Sequence, residues 1–535
     1  MGDWWRGAVL YQIYPASFAD RNGDGWGDLA GIADRLDYVA GLGVDGIWLS
    51  PFFVSPMRDF GYDVADYEDV DPRFGSLADF DRLLAAAHRL GLKVIIDQVY
   101  SHTSDAHPWF AESRQSRDNP KADWYVWADP KPDGTPPNNW LAVFGGGAWE
   151  WEPRRRQYYF HNFLAAQPDL NFHNPAVQEA VLAVADFWLG RGVDGFRLDV
   201  ANLYCHDPLL RDNPPSGDVF AAKPCRMQRP LYTRSRPETL TFVARLRARL
   251  DAWSTPGRER MAVAEIAAAD QVGEMVAYTD GADRYHTAYS FVFLRGPLSA
   301  GRIRAAVTDM QARGPGAWPS WAFSNHDVER VASRWGGPEA PAAAARLLLA
   351  LLASLRGTIF LYQGEELGLP EAEVPFERLR DPEGLAFWPA LKGRDGCRTP
   401  MPWRAAAPAA GFSTGEPWLP VDPRHRAQAV DRQDADPASV LAFARRFLAW
   451  RRTQPALVGG DIRFLDTPEP VLAFVRGEAA AARLCIFNLG PAPVALPVPA
   501  GWRALPEAGL AGSLQAGRAT LAGWQGVIAA PADHR

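Results

Sequence analysis

Eight short runs rich in β-branched and aromatic residues recur along the first two-thirds of this chain, at 9–14, 46–49, 94–96, 193–200, 261–264, 289–293, 321–323 and 358–362. Amphipathic or alanine-rich stretches lie between several of them, for example 77–90, 177–189 and 342–355. Strand and helix signals that alternate in this way specify parallel strands, because a parallel pair needs a crossover long enough to hold a helix. Eight such units predict an α/β fold in which the strands close into a (β/α)8 TIM barrel.

Two regions break the alternation. Residues 104–167, after the third run, are rich in Trp, Pro, Gly and Asn, and a loop of that length is expected to form a small subdomain. Beyond about 456, short alternating runs punctuated by Gly and Pro predict an antiparallel β domain. The expected organisation is therefore a barrel in two parts (1–103 and 168–456), the inserted subdomain at 104–167, and a C-terminal β domain at 457–535. Excursions at about 205–237 and 371–403 follow the fourth and eighth runs, on the side where a barrel carries its active site.

Composition narrows the chemistry. A net charge of −7 with no basic stripe argues against nucleic acid or membrane surface as a partner. The longest apolar run, 347–355, is too short to span a bilayer, and residues 1–6 lack the pattern of a signal peptide, so a cytoplasmic protein is expected. Cys205, Cys225, Cys397 and Cys485 are widely spaced, with no CxxC pair and no Cys/His cluster, which argues against a zinc site.

Polar groups stand where the runs stop. Asp97 and His102 follow the third, Arg197 and Asp199 end the fourth, Glu265 ends the fifth, and Asn325, His326 and Asp327 follow the seventh. In a barrel these ends converge on one mouth. Arg197 and Asp199, two residues apart on a strand, share a face, while Phe196, Leu198 and Val200 take the other. A guanidinium favours the ionised form of a neighbouring carboxylate, as a nucleophile requires. Glu265 follows the apolar residues 261–264, surroundings that would raise its pKa as a general acid requires. A carboxylate that attacks an anomeric carbon and an acid that protonates the leaving oxygen are what glycoside hydrolysis needs, with Asp327 as a third carboxylate to orient the sugar.

These residues carry a family resemblance. Asp97-Gln98-Val99-Tyr100-Ser101-His102, Gly195-Phe196-Arg197-Leu198-Asp199, Glu265, and Phe323-Ser324-Asn325-His326-Asp327 resemble, in order and spacing, four sequence regions of the α-amylase superfamily. Gln167-Pro168-Asp169-Leu170-Asn171 resembles a fifth region as found in its α-glucosidase and oligo-1,6-glucosidase branch. The resemblance implies a retaining, exo-acting α-glucosidase acting on terminal α-1,4- or α-1,6-linked glucose of short α-glucosides, with transglucosylation to other acceptors. Asp199 would be the nucleophile, Glu265 the acid and then base, and Asp327 a ligand of the 2- and 3-hydroxyls. It also implies that Asp59, Tyr62, His102, Arg197 and His326 surround the bound glucose, with Phe163 beside them. Arg398 would pair with Asp59 around the 4-hydroxyl. A sucrose isomerase, sucrose hydrolase or trehalose synthase would use the same triad. The stretch after the acid, Ile266-Ala267-Ala268-Ala269-Asp270, departs from the family pattern, so Glu265 rests on its strand context, with Glu274 as second choice. In the same family Val directly after the nucleophile, here Val200, accompanies α-1,6 cleavage.

Asp20, Asn22, Asp24 and Asp28 alternate with glycines in a loop whose oxygen spacing suits a hard cation, although it lacks the position-twelve glutamate of an EF-hand. The bare residues read equally as a solvated Asx/Gly turn. The resemblance implies a structural Ca2+ or Mg2+ held by Asp20, Asn22, Asp24, Asp28 and the Trp26 carbonyl. No organic cofactor is expected, and oligomeric state is not encoded in any motif.

Overall fold

The computed structural model describes residues 3–219 and 221–532. The first two positions of the N-terminal segment and the last three of the C-terminal domain lie outside them. Eight parallel strands form one sheet: β1 Val9–Ile13, β2 Gly46–Leu49, β3 Lys93–Gln98, β4 Gly195–Leu198, β5 Met261–Ile266, β6 Thr287–Ser290, β7 Ser320–Ala322 and β8 Thr358–Tyr362. Their order is β6-β5-β4-β3-β2-β1-β8-β7, and a parallel bridge between Ala288 and Pro319 closes β6 onto β7. This is the expected TIM barrel.

Period-2 alternation sorts the strand residues into two shells. Leu10, Trp48, Ile95, Met261, Val263, Tyr289, Ala322 and Phe360 fill the barrel interior. Their neighbours, such as Tyr11, Ile47, Ile96, Phe196 and Ala264, pack outward against the helices. The helices are fixed at their ends by local chemistry. Ser76 and Asp79 form a reciprocal capping box at the start of Leu77–Arg89. Asn174 caps Pro175–Arg191, and Gly192, at φ 106, terminates that helix in the left-handed region where a Cβ is costly.

The sixth strand differs from expectation. The run 289–293 predicted its position, yet the strand is Thr287–Ser290, where Tyr289 and Ser290 pair with Glu265 and Ile266 of β5. Phe291 and Phe293 are apolar for other reasons: Phe291 lines the central cavity, and Phe293 packs on Trp321 and Phe323.

Within 104–167 a three-stranded antiparallel sheet joins Trp127–Ala128, Gln157–Phe160 and Trp149–Glu152. After the barrel, five antiparallel strands and a separate group of three build the C-terminal β domain around Val471, Leu484, Ile486, Leu521 and Val527. The four cysteines are all free thiols. Among the described residues no helix is long and apolar enough to cross a membrane.

Candidate active site

The register of the strands stacks the charged residues in steps above the apolar interior. Asp97 on β3 stands level with Arg197 on β4, and Arg197 with Val263 on β5. Glu265 is one inward position above Val263, level with Tyr289 on β6. Asp199 is likewise one inward position above Arg197. The result is a floor of charge at the C-terminal mouth, exposed to a cavity of about 390 Å³.

Arg197 organises that floor. It is fully buried, with its guanidinium over the Trp48 ring at 5.0 Å. Its Nη1 donates to Asp97 at 2.8 Å and to Asp199 at 2.6 Å, while Nη2 meets Glu265 at 2.6 Å. The Tyr289 hydroxyl, which accepts from Arg197, donates to Glu265 Oε1 at 3.1 Å. Asp199 and Glu265 are thus gripped by the two terminal nitrogens of one planar group, an arrangement compatible with the short carboxyl separation that a retaining pair needs.

One cation shared among three carboxylates cannot hold them all down. Burial, opposed by Arg197, pushes Asp97 up to about 6, and both Asp199 and Glu265 up to about 7. The expectation that Arg197 keeps Asp199 ionised meets an opposing effect: desolvation and the neighbouring carboxylates outweigh the guanidinium and raise Asp199. Asp199 and Glu265 are close enough that the charge of Asp199 raises Glu265, so they titrate as a pair.

Asp327 has the opposite environment. Burial raises it, but His326, Arg394 and Arg398 outweigh that and hold it below the usual carboxylate range. Arg398 donates to Asp327 Oδ1 at 3.1 Å and Arg394 to the same oxygen at 3.3 Å. His326 accepts at Nδ1 from Gln12 at 2.8 Å, so its Nε2 carries the proton; that nitrogen lies 3.3 Å from Asp327 Oδ2, and the residue lines the cavity. Tyr62 stacks on the His326 ring at 5.2 Å and donates to Asp97 at 3.0 Å.

The arginine assigned to Asp59 is also corrected. Arg398 is fully buried beneath the cavity, where its Nε donates to the His326 carbonyl at 2.8 Å, and it makes no bond to Asp59. The partner of Asp59 is Arg394, whose Nη2 donates to it at 2.7 Å. The same guanidinium binds Asp381 through Nε at 2.8 Å and Nη2 at 2.6 Å. Arg394 and Arg398 are four residues apart in an irregular loop, and the short turn Asp395–Cys397 between them faces the first toward the cavity and the second beneath it.

His102 lines the cavity, but both its ring nitrogens are engaged, by the Tyr62 carbonyl and the Ser101 hydroxyl, each at 2.8 Å. Burial pushes it down to about 4, so it is neutral and props up Tyr62. Phe163 packs beside it at 5.2 Å. Gln167, quoted from the sequence only as part of a motif, donates to Asp59 at 3.1 Å and so belongs to the same wall. Tyr289, visible from sequence only as a strand residue, couples Arg197 to Glu265. Glu274, the second choice for the acid, lies on the outer helix Gln271–Thr279 and does not line the cavity.

Val200 departs from simple alternation. The strand ends at Leu198, and Val200 adopts φ 35 and ψ 49, a left-handed conformation that is strained for a β-branched residue. That turn brings the Val200 side chain into the cavity wall and its N–H toward Glu265 Oε2 at 3.4 Å.

In the loop 20–28, Asp20, Asp24 and Asp28 accept bonds from the loop's own amides, among them Arg21, Asn22, Gly23, Gly25 and Trp26, and Asp28 also caps the following helix at Gly31. Among the described residues no three acidic, His or Cys side chains converge as a ready-made metal cluster. Asp20 Oδ1, Asn22 Oδ1 and Asp24 Oδ1 each accept one such bond, which leaves a lone pair of a hard oxygen on each. The donor chemistry fits Ca2+ or Mg2+.

Comparison with known proteins agrees with this geometry. The model of the alpha amylase catalytic domain matches residues 12–460. A probable alpha-glucosidase of Rhizobium meliloti (strain 1021) is 56% identical over 497 residues, covering 91% of this chain and 89% of the relative. An oligo-1,6-glucosidase of Heyndrickxia coagulans is 36% identical over 523 residues, covering 91% and 92%. Among solved structures, the alpha-glucosyl transfer enzyme XgtA matches with a TM-score of 0.96 at 56% identity, covering 99% of this chain and 100% of that one. The trehalulose synthase MutB of Pseudomonas mesoacidophila MX-45 matches with a TM-score of 0.89 at 32% identity, covering 99% and 100%. The chain belongs to the alpha-amylase family and is a glycoside hydrolase of its alpha-glucosidase branch.

Proposed function

We propose that the protein is a retaining, exo-acting α-glucosidase that releases terminal non-reducing glucose from short α-1,4- or α-1,6-linked glucosides and also transfers it to acceptor hydroxyls. The observation that carries this reading is the pairing of Asp199 and Glu265 on one buried guanidinium at the floor of a cavity walled by Asp59 and Arg394. In the first step the Asp199 carboxylate attacks the anomeric carbon as Glu265 gives its proton to the departing oxygen. The bond to the aglycone breaks and a β-glucosyl ester forms. In the second, the Glu265 carboxylate takes a proton from water, whose oxygen attacks the same carbon and frees Asp199. An alcohol in place of water gives transfer, and the likeness to XgtA, described as an alpha-glucosyl transfer enzyme, favours that branch.

Tyr62, His326 and Asp327 would hold the sugar, and the wall at Asp59 and Arg394 would stop the chain beyond its non-reducing end. Val200 leans towards α-1,6 linkages, although one apolar contact discriminates by only about 1–3 kcal/mol. The likeness to MutB, one of whose variants is described in complex with the substrate sucrose, supports a second reading, sucrose isomerisation or hydrolysis by the same pair. Loop 20–28 is proposed to hold a structural Ca2+ or Mg2+ through Asp20, Asn22, Asp24, Asp28 and the Trp26 carbonyl, and a cytoplasmic setting suits the four free thiols.

The test is a kinetic panel on maltose, isomaltose, sucrose and trehalose, with the first-formed product followed by NMR. α-Glucose as the initial anomer supports the proposal. Initial β-glucose would overturn the retaining mechanism, and isomaltulose or trehalulose as the main product from sucrose would install the second reading.

A further inference from the structure

A cavity built for a neutral sugar has no need of unmatched positive charge, yet its outer wall carries three arginines. Arg226, Arg234 and Arg295 all line it, and among the described residues none of them forms an ion pair with a carboxylate. Elsewhere in the same cavity every cation is matched: Lys223 meets Glu383 at 2.5 Å, and Arg394 meets Asp59 and Asp381. The catalytic carboxylates have their own direct partners in Arg197, Arg394 and Arg398. Nor is the cluster the overflow of a basic protein, since the net charge is −7.

The three guanidiniums also act on one another. Arg226 and Arg295 are exposed at the rim; the surroundings and Arg226 lower the pKa of Arg295 while Glu383, Asp327 and Glu265 raise it, and burial lowers that of Arg234, where Arg295 adds to the effect. Arg295 lies over the Phe291 ring at 4.3 Å, which fixes its plane. Arg234 donates Nη1–H to the Ala267 carbonyl at 3.2 Å, but its Nε is buried with no partner at all. A desolvated donor without an acceptor is costly, and like charges held together add to the cost. An anion bound at this wall would relieve both costs in part. The wall between them and the acid is small and apolar, formed by Ala267, Ala268 and Ala269 with Phe291.

We propose that the aglycone side of this site recognises a carboxylate carried on an apolar body, as the leaving group of the glucoside or as the transfer acceptor. The inference rests on the α-glucosidase reading and names the substrate class. An aryl or alkyl body would lie on Ala267–Ala269 and Phe291, and the carboxylate would accept from the arginine cluster in the forked geometry guanidinium provides.

The test compares 4-carboxyphenyl α-D-glucoside with its neutral isostere 4-carbamoylphenyl α-D-glucoside. The carbamoyl phenol is the better leaving group, so a preference for the carboxylate cannot come from leaving ability. The expected result is a kcat/KM at least about tenfold higher for the carboxylate, shrinking as ionic strength rises. Arg295→Gln and Arg226→Gln, with melting temperatures measured alongside, should bring the ratio towards one. Equal rates on the two glucosides in the parent enzyme would overturn the proposal, and so would a preference undiminished in both variants. If neither glucoside is cleaved, the α-glucosidase reading itself falls.

Discussion

Replacing Arg394 by Met tests how the glucose pocket is closed. Arg394 donates to Asp59 at 2.7 Å, to Asp381 at 2.6 and 2.8 Å, and to Asp327 at 3.3 Å. Burial pushes Asp59 up, and Arg394 is the strongest influence holding it down. Without the guanidinium, burial is opposed chiefly by Arg398, so Asp59 shifts towards its protonated form and weakens as a charged acceptor. Asp327 retains Arg398 at 3.1 Å, so its charge survives. The interaction lost to the sugar is one hydrogen bond to a charged group, about 1.5–3 kcal/mol, which corresponds to a fall in kcat/KM of about 10- to 150-fold. The assay is hydrolysis of 4-nitrophenyl α-glucoside and of its 4-deoxy analogue. The parent enzyme should discriminate strongly between them and R394M only weakly, because the 4-hydroxyl has lost its charged partner. Circular dichroism and melting temperature check that the fold persists. If R394M keeps full activity and full discrimination while Arg398→Met loses the discrimination, the pairing derived from the structure is wrong.

Three other outcomes follow from the same geometry. Because Asp199 and Glu265 are both raised to about 7, kcat/KM should fall below neutrality as the nucleophile is protonated and above it as the acid loses its proton; in Glu265→Gln, assayed on an activated aryl glucoside, the alkaline fall should disappear, and its persistence would move the acid elsewhere. Glu365 is pushed by burial up to about 8, and its Oε1 has no hydrogen-bond partner. The native state therefore keeps a proton that the unfolded chain releases near its ordinary value of 4.5, and stability from this group is full below that value and is lost as pH rises towards 8. Glu365→Gln should accordingly gain on the parent in melting temperature between pH 5 and 8, by on the order of 2 °C, and a constant difference would refute the assignment. Dialysis against a chelator should lower the melting temperature and release Ca2+ or Mg2+ measurable by elemental analysis, whereas Asp24→Ala should melt the same with and without chelator; an unchanged parent would remove the ion.

The barrel and the floor of its active site were readable in advance because both follow from one rule, the two-residue period of a strand. Ile95 and Asp97, or Val263 and Glu265, are successive inward positions, and the switch from apolar to charged marks where the strand leaves the core. The rule fails where the backbone leaves the strand. Val200 lines the cavity only through its left-handed turn, and Phe291 lies beyond the end of β6, in an apolar run that does not show where pairing stops. Arg394 and Arg398 present identical chemistry four positions apart in a loop with no periodicity, so nothing local in the sequence says which one meets Asp59. The rise of Asp199 was not legible for another reason: adjacency to Arg197 is visible along the strand, whereas the two further carboxylates that divide that charge come from β3 and β5.

Arg394 belongs to the stretch after the last strand, while Asp59 lies in the loop after the second, and the two meet through a side-chain ion pair rather than through strand pairing. The reactive carboxylates are carried on strands, but the far wall of the slot is set by one guanidinium reaching across from a loop that Tyr362, Arg330 and Ser17 hold down through the Cys397 and Arg398 carbonyls. On the proposed reading, a descendant could trade end-trimming for attack in mid-polymer by changing Arg394 alone, leaving the reactive carboxylates untouched.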